Sequence, residues 1–259
     1  MEDALFAAVH HNRVKTVSHL LRVTPTLNIN HRGDHGWTVL HRASMLGHSA
    51  ITHTLLQHHG ISVNQQDDTG CTAILLACSE GETEVVKVLL RDHRVDIESA
   101  ANDGVTPLWC ATLWGYLPII KWILVLRHRA VDLEATRHYG KEYSLVEFAR
   151  KNGKLEIADL LDKFTLDPQD TRFNLAIDLG LRPLLAAELF ASVVLLCDDF
   201  LRIREGKPLE SSGRFFRIAS QLPMELQMVL CRRVYDLGAG PISVRDTELA
   251  FRSLAAEDL

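Results

Sequence analysis

No stretch of this 259-residue chain is both apolar and long enough to span a bilayer. The most apolar run, residues 184–197, is broken by Glu188 and followed at once by Asp198 and Asp199. It falls short of the ~20 residues a membrane helix needs, so it reads as a buried helix. Cysteine is scarce, with five residues (Cys71, Cys78, Cys110, Cys197, Cys231), odd in number and unpaired in spacing. That pattern excludes a disulfide framework and places reduced thiols in the cytoplasm or the nucleus. The opening Met1-Glu2-Asp3 is acidic and lacks the basic and apolar regions of a secretory leader.

Positive charge is also in short supply. The net charge is −5, and residues 165–259 carry 11 Lys/Arg against 14 Asp/Glu, so neither half presents a basic stripe for a phosphate backbone. The expected partner is therefore neither nucleic acid nor membrane. Phosphate-binding glycine loops, nucleophile elbows, CxxC pairs and HExxH motifs are missing. Most of the 13 histidines lie between His10 and His59, but His48, His53 and His58 step by five rather than by the three or four that share a helix face. They read as surface residues, not as a metal site. The expectation is a protein that is not an enzyme and carries no cofactor.

What the chain does have is a period. Gly36, Gly70 and Gly104 are evenly spaced at a step of 34, and Gly47, Gly81 and Gly115 repeat that step at a constant offset from the first series. A fixed period of this size marks stacked supersecondary units, each unable to bury its apolar face alone. Gly36-Trp37-Thr38-Val39-Leu40-His41-Arg42-Ala43 aligns with Gly70-Cys71-Thr72-Ala73-Ile74-Leu75-Leu76-Ala77 and with Gly104-Val105-Thr106-Pro107-Leu108-Trp109-Cys110-Ala111. The first glycine supplies a positive φ for a tight turn. The threonine caps a short helix, and Pro107 suits a helix start. The second glycine closes that helix in the left-handed conformation. A second helix then carries an apolar pair inward: Leu55-Leu56, Leu89-Leu90, Ile123-Leu124.

Two degenerate units flank these three. Leu5-Phe6-Ala7-Ala8, with Asn12 in the second glycine slot and then Leu20-Leu21, reads as an N-terminal cap, since asparagine also tolerates the left-handed region. Ser144-Leu145-Val146-Glu147-Phe148-Ala149, Gly153 and Leu160-Leu161 form the fifth unit, with Gly140 as its first glycine and two extra residues in its hairpin.

Residues 2–164 resemble the ankyrin-repeat family, whose units carry Gly-x-Thr-Pro-Leu-His-x-Ala, then Gly-His and Leu-Leu. The resemblance implies an all-α solenoid of about five helix-turn-helix units with hairpin tips, over roughly 2–33, 34–67, 68–101, 102–137 and 138–164. His41 occupies the family's structural histidine position, which implies a hydrogen-bonding core group. The family binds other proteins through the hairpin tips and the concave side of the first helices. By register this surface holds Trp37, Met45, Leu46, Glu80, Val105, Leu113 and Trp114. Most of these are large and apolar where polar residues are usual, and exposed aromatic surface marks interfaces. Its occupant is a partner protein or peptide, or the chain's own C-terminal helices.

After residue 164 the period is lost. Residues 165–170 read as a short linker into a helical C-terminal domain over 165–259. Within it, Leu222-Pro223-Met224-Glu225-Leu226 resembles the opening of an F-box. That resemblance implies a substrate adaptor of a cullin-RING ubiquitin ligase, with Leu222, Pro223, Glu225 and Leu226 contacting a Skp-family subunit. An enzyme site within 165–259 is the remaining alternative, although no motif calls for one.

Overall fold

Each step of the glycine period folds as two helices joined at a left-handed residue. The computed structural model describes residues 1–24, 26–126, 133, 136–138, 141–182, 185 and 227. It divides into two compact units, Met1–Arg172 and Phe173–Leu259. In the first unit the pairs are α1 (Glu2–His10) with α2 (Val14–Val23), α3 (Val39–Met45) with α4 (Ser49–Leu56), and α5 (Ala73–Glu80) with α6 (Thr83–Leu90). α7 (Pro107–Trp114) with α8 (Leu117–Leu126) and α9 (Leu145–Lys151) with α10 (Leu155–Leu166) complete the series. First helices pack on first helices, α1 on α3, α3 on α5, α5 on α7 and α7 on α9. Second helices likewise run α2 on α4, α4 on α6 and α6 on α8. Two helical layers result, with the apolar residues between them.

The core is the set of side chains that no single pair could bury. Leu55, Leu89, Ile123, Leu124 and Leu161 on the second helices are all fully buried, whereas Leu56, expected to point inward beside Leu55, is only half-buried. The turns follow the local chemistry. Gly81 and Gly115 are the left-handed C-caps of α5 and α7, and Asn12, at φ 53°, takes that role after α1. Thr38, Thr106 and Ser144 each accept a hydrogen bond from the backbone N–H three residues on. Thr72, in the same slot, does not. Its hydroxyl is buried without a partner among the described residues.

Successive turns are tied together by a polar ladder. The Asn30 side chain donates to the Gly60 carbonyl (2.7 Å) and accepts the Ser62 N–H (2.8 Å). One period later Asn64 donates to the Arg94 carbonyl (2.7 Å) and accepts the Asp96 N–H (2.9 Å). Tip to tip, the Asp68 N–H donates to the His35 carbonyl and the Asn102 N–H to the Thr69 carbonyl. The spacing of the two asparagines equals the glycine period.

Two expectations need correction. The fifth unit carries four extra residues rather than two, because the steps from Thr106 to Ser144 and from Gly115 to Gly153 both exceed the glycine period by four. The extra length goes into an antiparallel pair, β1 (Thr136–His138) and β2 (Lys141–Tyr143), with Thr136 opposite Tyr143. Glu142 on β2, not Gly140, holds the place two residues before the cap, and Gly140 lies outside the described residues. The segment read as a linker is a helix-to-helix junction. α10 runs to Leu166, and α11 (Pro168–Asp178) starts after Asp167 alone. The Asp167 carboxylate accepts the Asp170 N–H (2.9 Å), and Pro168 has the fixed φ that suits a first helical residue. Residues 222–226 of the F-box-like stretch lie outside the described residues.

Candidate partner-binding face

The face formed by the first helices is organised by the same period as the core. Along α3, α5, α7 and α9 one register row reads Met45, Ser79, Leu113, Lys151. The next reads Leu46, Glu80, Trp114, Asn152. Because α3, α5 and α7 stack directly, residues of one row are neighbours across helices. Met45, Leu46 and Leu113 are half-buried, Glu80 is exposed, and Trp114 is 57 % exposed. A tryptophan left this open at the end of a packed helix is the largest apolar feature of the face.

Two of the residues placed here by register do other work. Val105 is only 8 % exposed and turns inward at the foot of α7, so it offers no surface; hairpin position alone does not set the direction of a side chain. Trp37 is half-buried and ties two tips together. Its indole N–H donates to the Asp67 carboxylate on the next hairpin tip (3.1 Å), and the Arg42 guanidinium lies 5.0 Å from its ring centroid. Burial pushes the Asp67 carboxyl upward. Donors from Thr69, Cys71 and Trp37 outweigh it and leave the group below its ordinary pKa.

His41 is the buried polar centre beneath this face. Its Nδ1 accepts the Thr38 N–H (3.0 Å), which can only donate. Nε2 must then carry the proton, and it donates to the Cys71 carbonyl of the next unit (3.1 Å). One side chain thus closes its own helix start and ties it to the following tip. Burial holds the His41 pKa below the usual histidine value, with the Cys71 carbonyl partly opposing that shift. A histidine depressed in the folded state stabilises fully above its unfolded pKa of about 6.5, and that stability is lost as pH falls toward the folded value. We expect the urea midpoint to fall from pH 7.5 to 5. In a His41→Gln variant, which keeps an acceptor at this position but does not titrate, the fall should be shallower. Parallel pH profiles for the two proteins would show that His41 is not the titrating group.

The three described cysteines are held as thiols by the same physics. Cys71, Cys78 and Cys110 are free thiols. Burial raises all three, Cys78 strongly and Cys110 to about 11, so none is a thiolate at neutral pH. Cys71, Asp103 and Glu80 push Cys110 further up, while the Trp114 indole beside its sulfur counters the rise. Among the described residues no group of three or more His, Cys, Asp or Glu converges to hold a metal ion. No helix among them is long and apolar enough to cross a membrane.

The family model described as ankyrin repeats (3 copies) matches residues 1–67 and again 62–137. No curated protein matches the chain.

Proposed function

Because the chain belongs to the ankyrin-repeat family, whose repeats mediate protein–protein interaction, we propose that it holds a partner protein on the face of α3, α5 and α7. The observation that carries this reading is Trp114, more than half exposed at the end of a helix whose Leu108 and Trp109 are packed away. Leu113 beside it, and Met45 and Leu46 two helices along, extend the apolar surface across the stack. Groups of this kind dominate interface energetics once water is excluded from them. We take the fifth pair, α9 and α10, as the end of the same array, so that the repeat domain runs to about residue 164.

The test is capture by the full-length chain from its native source, compared with a Leu113→Lys, Trp114→Lys double variant of unchanged melting temperature. Proteins retained by the wild type should be lost to the variant. An unchanged set of captured proteins would remove this face from the function.

A further inference from the structure

The four tryptophans meet three different fates. Trp109 is buried against Phe148, their ring centroids 4.3 Å apart. Trp37 carries the Arg42 guanidinium over its ring, and Trp122 carries the Lys87 ammonium at 4.9 Å with the Arg91 guanidinium at 6.0 Å. Trp114 is the most exposed of the four, and no cation of the described residues lies over it. Tryptophan has the most favourable aromatic face for a cation, within about 6 Å of the ring centroid. The half-buried Trp37 receives a cation from its own chain, whereas the more exposed Trp114 receives none from the described residues.

The charge beside Trp114 fits a cation from outside. Glu80 is its neighbour in the register row, an exposed carboxylate at the last residue of α5. The opposite side is basic. The Lys154 ammonium packs at Gly115, and Lys151 follows Leu113 in its row, so a cation enters from the α5 side.

Resting on the reading of this face as a protein-binding surface, we propose that Trp114 and Glu80 form a subsite for one arginine or lysine side chain of the partner. Met45 and Leu46 take an apolar residue of the same segment. Stacked helices lie about 8–10 Å apart, which puts α3 roughly 20 Å from α7. An extended strand rises about 3.3 Å per residue, so the basic and apolar residues stand about six positions apart.

Selection of random 12-residue peptides displayed on phage, against the full-length chain, tests this. Clones whose capture depends on Trp114 should carry Arg or Lys several-fold above the starting library. A synthetic peptide from such a clone should bind about tenfold more weakly to Trp114→Ala and to Glu80→Gln, with Trp114→Phe between. Replacing its basic residue by a neutral near-isostere, citrulline for arginine or norleucine for lysine, should cost as much. Clones that depend on Trp114 but show no basic enrichment, or that tolerate the neutral replacement, would overturn the cation subsite and leave the partner face standing. Clones indifferent to both Trp114→Ala and Met45→Lys, or no clones at all, would overturn both.

Discussion

Gly70→Ala should destabilise the repeat stack by roughly 2–4 kcal/mol, adding the cost of a left-handed non-glycine residue to that of overpacking. Gly70 holds φ at 81° on the second hairpin tip, and a Cβ there would sit 2.7 Å from the backbone nitrogen of Asn102. That nitrogen cannot yield cheaply. It donates to the Thr69 carbonyl at 2.9 Å, and the Asn102 side-chain amide donates to the Asp68 carbonyl at 3.2 Å, so moving it breaks the tie between consecutive tips. Gly153 is the internal control. Its φ is 70°, yet a Cβ there would meet nothing within 4 Å, so Gly153→Ala should cost only the backbone strain of about 1–2 kcal/mol. Urea unfolding of the two variants measures the difference. Equal losses would mean that the Asn102 tip moves aside, and that the tip-to-tip contact is not a fixed part of the stack.

Trp109→Ala should cost about 3–5 kcal/mol, the range for a large aromatic deleted from a core, with the damage concentrated at one joint. Trp109 is 1 % exposed, and its ring lies against Phe148 on α9, so it fills the contact between the fourth and fifth pairs. In a linear array, stability is close to a sum of unit terms and nearest-neighbour interfaces. Removing one interface therefore frees what lies beyond it. Amide hydrogen exchange in α9 and α10 should rise by tenfold or more while α3 to α6 keep most of their protection. Trp109→Phe, which retains a ring for Phe148 to pack on, should fall between. A uniform loss of protection along all five pairs would contradict a joint-by-joint architecture.

The parts of this fold that were legible in the sequence are those set by single residues. A positive φ favours glycine or asparagine, so the two glycine series and Asn12 marked the turns before any coordinates. A helix start favours a hydroxyl acceptor, which located Thr38, Thr106 and Ser144. His41 was legible as a buried hydrogen-bonding group through its place in the family motif, and the structure adds that it reaches the next unit through Cys71.

What the sequence left open depends on neighbours that one unit does not contain. Val105 and Trp114 looked alike as apolar residues at surface register positions. One is buried, and the other is more than half exposed at a helix end. Trp37 was expected on the partner surface, and the structure adds that its indole N–H donates to Asp67 on the next hairpin tip. Residues 165–170 looked like a linker because Asp and Pro serve turns and helix starts equally, and only the course of α10 and α11 distinguished the two. Backbone demands are local, so this chain carries them in its own letters. Exposure and pairing belong to contacts between one unit and the next, and only the stacked structure decides them.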